Sequence, residues 1–562
     1  MTDIAHSVPG INSLRTYRKA WLRPDIVAGI VLAAILVPQG MAYAELAGLP
    51  PVTGLYTTIA CLVGYALMGP SRVLVLGPDS SVSPLIFAAI APLVIVTDDP
   101  EKAIALAGMM ALLVGLILIG LGVGKLGFVA DLLSKEVQVG YMNGLAITII
   151  IGQLPKLCGF STDADGFVEE VREFVKGFDG RNTTALVLGL ATLAVLLVLP
   201  RFTKTIPAVL VAVVGATVVT ALFDLDINTV GALPEGLPRP SLPWTDWGDV
   251  GPMLIAAMGI TLVSLTDTIA TSTSFAARRG DEVDPNQEMI GIGAANIAAG
   301  LFQGFAVSTS GSRTAVAEQS GAKSQLTGLV GAALVALLLL FFSTLLQDLP
   351  QAALAAVVIA AAISLADLAT LRRYLDMRKT SFWLSIVATA GVVFFGVLEG
   401  ILIAVVMSIV LFFRRSWWPH GEVLGRDDDR GGWHSVRTAP TAEQRTDVLV
   451  FRWEAPLFFA NAGMFRQQIR HLVRHQKPRW VVLQCEAMTD IDVTAADMLE
   501  RLDTELNAAG VNVCFVELRS RLQDLVYRYG LFKTLDRDHF YNSIEEALAA
   551  IDSGEAEADS HN

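Results

Sequence analysis

The chain has 562 residues, of which 53% are hydrophobic and 17% charged, with a formal net charge of -13 and a mean hydropathy of +0.55. Soluble domains carry roughly 25% charged residues, so an ordinary soluble enzyme is excluded as the main body. Many of the acids lie in loops and at the C-terminal end, so the net charge says little about the sign of a ligand; local charge decides that.

Residues 1–24 carry Arg15, Arg18, Lys19 and Arg23 but no short apolar run with a small-residue cleavage site. They are expected to form a cytoplasmic lead-in rather than a signal peptide. Residues 25–416 then alternate apolar runs with short polar loops, and a span needs on the order of 20 apolar residues, fewer where a helix is broken. That rule predicts about fourteen crossings or part-crossings. Their expected centres are Ala34, Ala60, Ile86, Gly115, Thr148, Leu193, Val213, Thr261, Ala295, Thr314, Val335, Val358, Thr389 and Val406.

Loop charge tests the count. Basic residues gather on the cytoplasmic side, and here they follow every second span: Arg72, Lys125, Arg201 with Lys204, Arg278 with Arg279, Lys323, the Arg372 to Lys379 cluster, and Arg414 with Arg415. The alternate loops are acid-rich, as in Asp98-Asp99-Pro100-Glu101. The loop from Asp163 to Glu173, with Arg172 and Lys176, is expected as an amphipathic surface helix. Seven spans per half is an odd number, which turns the second half upside down and predicts an inverted repeat.

Two apolar stretches are broken in matching places of the two halves. The first break is Gly77-Pro78-Asp79-Ser80-Ser81; the second is Ser308-Thr309-Ser310-Gly311-Ser312-Arg313. In lipid every backbone polar group needs an internal partner, so such breaks survive only beside protein or a polar cavity. Paired half-helices with facing N-termini make an anion site. Arg313 adds a fixed positive charge, with hydroxyls from Ser308, Thr309, Ser310 and Ser312. An arginine there can also tie the half-helices together through carbonyls, and both roles can hold at once.

Asp267 stands inside the eighth span, at a cost of at least ~2.5 kcal/mol on insertion scales, and is a functional candidate by default. Thr271 lies one turn on and shares its face. That face can hold Na⁺ on oxygen ligands, or Asp267 can exchange a proton. Gln39 and Tyr43, one turn apart in the first span beside Pro38 and Gly40, are expected to face a cavity. Glu45 faces either that cavity or the membrane surface.

After Arg415 the character changes. Trp417-Trp418-Pro419 suits an interfacial anchor, and 417–445, polar and rich in Gly and Asp, is expected as a linker. Over 446–551 strands and helices alternate, which predicts a small soluble α/β domain. Its expected elements include strands at Val448 to Trp453, Leu457 to Phe459, Trp480 to Leu483 and Val511 to Val516. Residues 552–562 are expected as a disordered acidic tail. Cys61, Cys158, Cys485 and Cys514 lack metal-site or CxxC spacing, so neither a disulfide framework nor a zinc site is expected, and the chain suits a reducing cytoplasm. Gly120 to Lys125 lacks the spacing of a phosphate-binding loop, and the seven histidines sit in no catalytic context. No enzyme, cofactor or nucleic-acid partner is expected.

The run from Val37 to Tyr56, with Pro38-Gln39-Gly40-Met41-Ala42-Tyr43 at its heart, strongly resembles the signature of the sulfate permease (SulP) anion transporters. The resemblance continues through Gly77-Pro78, Asn296 to Phe302 and Ser312-Arg313-Thr314. The tail, at Leu457 to Ala462 and Thr489 to Ala495, looks like a STAS domain. The resemblance implies a membrane all-α fold with a 7+7 inverted repeat, in which spans one to four and eight to eleven move against the rest. It also implies an anion site made by Gln39, Tyr43, Asp79, Ser80, Ser308, Thr309, Ser310 and Arg313. Asp267 and Thr271 would form the coupling site, with no metal beyond Na⁺ there. Asp79 departs from the apolar or small residues usual at its position. Thr494 falls where related STAS proteins carry a phosphorylated serine, although a threonine there can equally be a helix N-cap.

The expected function is secondary active transport of a small anion, sulfate first, coupled to H⁺ or Na⁺ across the plasma (inner) membrane. The expected form is a homodimer with cytoplasmic termini, open to regulators through the STAS domain. Alternatives are bicarbonate or C4-dicarboxylate symport, an uncoupled channel or exchanger, and a membrane-tethered signalling scaffold.

Overall fold

The computed structural model describes all residues except 1–8, 11–15, 95–98, 133, 163–165, 204–206, 235, 245–246, 532–534, 536–538 and 555–562. It divides into two compact units, residues 1–408 and 409–562.

The first unit is helical. In chain order it holds α1 (Leu22–Leu46), α2 (Pro51–Met68), strand β1 (Leu76–Gly77), α3 (Ser83–Val94), α4 (Pro100–Val123), α5 (Lys135–Leu157) and α6 (Phe167–Gly177). Then come α7 (Thr183–Phe202), α8 (Ala208–Phe223), α9 (Trp247–Ala277), α10 (Pro285–Leu301), strand β2 (Ser308–Thr309) and α11 (Gly311–Gln319). It closes with α12 (Leu326–Phe341), α13 (Gln351–Leu365), α14 (Leu368–Met377), α15 (Lys379–Phe395) and α16 (Val397–Trp417), whose last turns belong to the second unit. Each of the fourteen expected centres falls inside a helix. Among the described residues, the helices long and apolar enough to cross a membrane are α1, α2, α4, α5, α7, α9 and α13 run on into α14; α3, α8, α12, α15 and α16 are shorter apolar helices. The amphipathic helix expected near Glu173 is α6.

Helices start where a side-chain oxygen can take up an orphan N–H. Asp99 does this for α4, Asn182 for α7, Asp284 for α10 and Ser310 for α11. Large apolar side chains such as Leu116, Val123, Leu222, Phe223 and Phe341 point outward, each more than 60% exposed. A soluble surface does not tolerate so many. The inner packing is close. Glycines recur every seventh residue on α4, at Gly108, Gly115 and Gly122, and face Gly300, Gly293 and Asn286 of α10. A Cβ on Gly115 would stand 2.7 Å from the Gly293 carbonyl oxygen, and one on Gly293 2.8 Å from that of Gly115. The two backbones touch, as small residues allow between apolar helices.

Asp25, expected only as the edge of the first span, is fully buried. Its carboxylate accepts from the N–H of Lys323 at 2.7 Å and of Ser324 at 3.2 Å, and from the hydroxyls of Ser324, Thr327 and Tyr17. One acid thereby ties the start of α1 to the start of α12.

In the second unit, β3 (Gly421–Arg426), β4 (Trp433–Ser435), β5 (Val448–Trp453), β6 (Trp480–Gln484), β7 (Asn512–Val516) and β8 (Phe540–Tyr541) form one sheet of order β4-β3-β5-β6-β7-β8. The pairs from β5 to β8 are parallel, and those of β3 antiparallel. Strand alternation splits the apolar residues between two faces. Leu449, Phe451 and Trp453 pack with α17 (Ala462–Gln476), α18 (Val493–Ala508) and α19 (Ser520–Arg528), whereas Val448 and Val450 pack with α20 (Ile544–Ser553).

Three expectations need correction here. The segment 417–445 is not a plain linker, because β3 and β4 lie in it; its polar composition is that of an outer antiparallel pair. Leu457 to Phe459 is no strand. Leu457 makes a single bridge to Ile491, and then Asn461 turns the chain by accepting from the Phe458 N–H and donating to the Pro456 carbonyl. The domain also runs past Ile551: α20 continues to Ser553, and Asp552 pairs with Arg445 at 2.8 Å. The rest of the expected tail, 555–562, lies outside the described residues, as do parts of the expected lead-in. All four cysteines are buried and free.

A candidate anion site at the paired breaks

The two breaks meet. Leu76 pairs with Thr309 and Gly77 with Ser308 in a two-residue antiparallel ladder, and the Ser310 N–H donates to the Val75 carbonyl at 3.2 Å. Side chains satisfy the remaining backbone: Thr314 Oγ1 accepts from Val75 N, Asn296 Oδ1 from Val307 N, and Thr57 Oγ1 from Phe305 N. Irregular backbone is tolerated at this depth for that reason.

Beside the ladder lies a cavity of about 860 Å³. Gln39 and Tyr43 of α1, Asp79 and Ser80 of the first break, Thr309 to Arg313 of the second, and Asp267 and Thr271 of α9 line one wall. The rest of the lining includes residues of α5, α7, α8 and α13, with Met142, Leu196, Val209 and Val357 among them. Nine of the ten residues expected in the anion and coupling sites therefore share one cavity. Ser308 does not. It is fully buried on the opposite side of its strand, and its hydroxyl has no partner among the described residues. Glu45 does not line the cavity either.

Arg313 is 1% exposed. Its Nη1 donates to the Pro78 carbonyl at 2.6 Å, and its Nη2 lies 3.5 Å from Asp79 Oδ2. Nε and Nη2 make no hydrogen bond among the described residues. A guanidinium has five N–H donors and no acceptor, so most of its capacity is unspent. Gly77 lies against it: a Cβ there would stand 3.1 Å from Nη1, so the guanidinium would have to give by a few tenths of an ångström. The first turn of α11 offers more donors, since Gly311 and Ser312 line the cavity and the leading N–H groups of a helix have no intrahelical partner.

Asp79 is 8% exposed and does not open the start of α3 to a ligand. Its Oδ1 accepts from Ser81 N at 3.1 Å, and its carbonyl from Ser83 N at 3.0 Å. Ser81 Oγ lies 2.9 Å from Asp79 Oδ1 and also 2.9 Å from Asp267 Oδ2. Gln138 Nε2 of α5 reaches Asp267 Oδ1 at 3.5 Å, and the Tyr141 hydroxyl donates to the Ser81 carbonyl at 3.4 Å. Ser81, Gln138 and Tyr141 were not expected in the site. Ser81 stands in the first break and so left a local trace, whereas Gln138 is one of three amides in α5, with Asn143 and Gln153, and nothing local singles it out.

In the second unit, Thr494 is exposed in the first turn of α18. The N-cap is Asp492, which accepts from Ala495 N at 2.8 Å. The N-cap reading of Thr494 is therefore wrong, because Asp492 two residues earlier is the better acceptor and holds the place.

Paired half-helices, a buried arginine and an intramembrane acid around one cavity define a class, the multi-pass membrane anion transporters. The fold agrees. The chain superimposes on murine solute carrier 26 family member A9, an anion transporter in the inward-facing state, with a TM-score of 0.88 at 23% identity over 98% of this chain and 95% of that one. It also superimposes on the transmembrane domain of a cyanobacterium bicarbonate transporter, BicA, with a TM-score of 0.62 at 24% identity over 70% of this chain and 98% of that one. A probable sulfate transporter of Mycobacterium tuberculosis is 40% identical over 97% of this chain and 98% of its own length. The chain belongs to the sulfate permease family: that family's model matches residues 22–389, and a STAS domain matches 439–547. It is a transporter, not an enzyme.

Proposed function

We propose that this protein is a secondary active transporter of a small anion, sulfate first, coupled to H⁺ or Na⁺ and working by alternating access. The observation that carries this is Arg313, almost fully buried at the wall of the cavity, its Nε and Nη2 without a hydrogen-bond partner among the described residues and its one ion-pair contact a 3.5 Å approach to Asp79. A buried charge without full pairing is costly, and a dianion bound there would complete it. Relatives described as sulfate transporters support the choice of anion. Asp267 in the same cavity supports coupling, since an uncoupled channel has no use for an intramembrane carboxylate.

In this reading Gln39, Tyr43, Ser80, Thr309, Ser310 and Arg313 contact the anion, while Asp267 and Thr271 take the cation. The wall from α1, α9 and the two breaks moves against the wall from α5, α7, α8 and α13. The protein works in the plasma membrane as a homodimer with cytoplasmic termini, and Thr494 is a regulatory position where an added phosphate would meet the positive end of α18.

Uptake into proteoliposomes under imposed H⁺ and Na⁺ gradients tests the proposal, with sulfate, bicarbonate and fumarate each labelled. Concentrative sulfate uptake is expected, and it is lost in Asp267→Asn. Gradient-independent conductance, or uptake of bicarbonate without sulfate, would refute it.

A further inference from the structure

Asp79 fits poorly as an anion contact. A carboxylate offers no donor, and in its ionised form it repels the charge that Arg313 attracts. With Asp79 and Asp267 both ionised and Arg313 the facing cation, the wall carries one net negative charge before any ligand arrives. A dianion would raise that to three. The other titratable groups that feel these charges are phenols, Tyr43 from α1 with Asp79 and Arg313 and Tyr141 from α5 with Asp267, together with the buried thiol of Cys61 from α2 with Arg313. Phenols and thiols are ordinarily neutral at pH 7, so they do not relieve the excess.

The hydrogen count independently calls for the first of the protons that would relieve it. Ser81 Oγ is 2.9 Å from a carboxyl oxygen on each side, yet a hydroxyl has one hydrogen. It can donate to only one carboxylate. The second contact is a hydrogen bond only if that carboxyl carries a proton and donates back to the serine oxygen. Arg313 Nε and Nη2, which make no hydrogen bond among the described residues, mark this as a place that receives a charged ligand.

We infer that Asp79 and Asp267 form one site for two protons, joined by Ser81, which fills when a dianion binds beside Arg313. This rests on the proposed transport of sulfate and sharpens it by naming the coupling ion and its number. Each carboxylate takes up one proton and becomes a neutral acid, and the load of one sulfate and two protons carries no net charge. With both acids neutral, Arg313 faces the dianion alone.

The test is the effect of membrane potential on sulfate accumulation in proteoliposomes of the full chain, under a fixed pH gradient. The wild-type accumulation ratio is expected to be indifferent to an imposed potential. Asp79→Asn keeps the oxygen that accepts from Ser81 N but loses one proton, so its load carries one negative charge. Its accumulation ratio should fall roughly 50-fold per 100 mV, inside negative. A second measurement needs no turnover: protons taken up from weakly buffered solution as sulfate binds the detergent-solubilised protein, two per site in the wild type and one in Asp79→Asn. A potential-sensitive wild type, an indifferent Asp79→Asn, Na⁺ dependence without pH dependence, or equal proton counts would each overturn the inference. The two readings fail separately. Fumarate bound with two protons, where sulfate neither binds nor moves, refutes the choice of sulfate and leaves the proton pair standing. A protein that binds neither dianion refutes both.

Discussion

The two breaks have one backbone and opposite chemistry. Both leave an apolar stretch through a short strand, pair with each other, and restart as a half-helix. In the first, Asp79 folds its own carboxylate and carbonyl onto the N–H groups of Ser81 and Ser83. In the second, the Ser310 hydroxyl takes up Arg313 N at 3.4 Å and its carbonyl accepts from Thr314 N at 2.9 Å, while Gly311, Ser312 and the guanidinium are left toward the cavity. Two half-helices in mirrored positions are therefore not two equal halves of an anion site. One presents donors and a cation; the other has spent its donors and presents an acid. A dipole argument from symmetry alone would have counted both as positive.

That asymmetry can be broken from either side. The largest effect is expected from Arg313→Ala, which removes a charge-assisted contact of roughly 1.5–3 kcal/mol. Sulfate affinity, followed by titration, should drop by one to two orders of magnitude, and unaltered binding in a folded protein would make the arginine a strut. The opposite sign is expected for Asp79→Asn at alkaline pH. Losing a like charge beside the anion should tighten sulfate binding by about 1–2 kcal/mol, with a flatter dependence on pH. Weaker binding at every pH would mean that Asp79 holds Arg313 in place more than it repels the ligand.

Gly77→Ala probes the floor under the guanidinium. The added methyl must push Nη1 aside, for a loss in sulfate affinity of about 1 kcal/mol, and retention of full affinity would show that the arginine has room to move. Ser310→Ala is the mildest change. A cap bond as long as 3.4 Å places it at the low end of capping effects, about 0.5 kcal/mol, visible as a small drop in thermal stability beside the loss of one neutral hydroxyl contact, a decrease in sulfate affinity of about 0.5–1 kcal/mol.

The helix positions and the two breaks were legible because lipid imposes a simple rule: apolar length, interrupted only for cause. Ser308 could have been set aside from sequence as well, since adjacent strand residues face opposite sides and Thr309 takes the cavity side. Other features left little or no local mark. Ser81 meets Asp267 across 186 positions, and Asp25 meets Ser324 across 299; nothing near either residue announces the partner. The strands β3 and β4 were missed because outer strands need few apolar residues, so 417–445 has the composition of a tether.

The glycine seam between α4 and α10 limits what can move. Its contacts repeat with a seven-residue beat, backbone on backbone, like the teeth of a keyed shaft. Sliding one helix along the other by a single residue would drive side chains such as Ile297 and Met289, which already flank the glycines, into the opposing backbone. The seam therefore has one register, and the helices on either side of it travel together or not at all. Whatever opens and shuts this cavity must do so along some other boundary, where larger side chains keep the backbones apart and can trade neighbours.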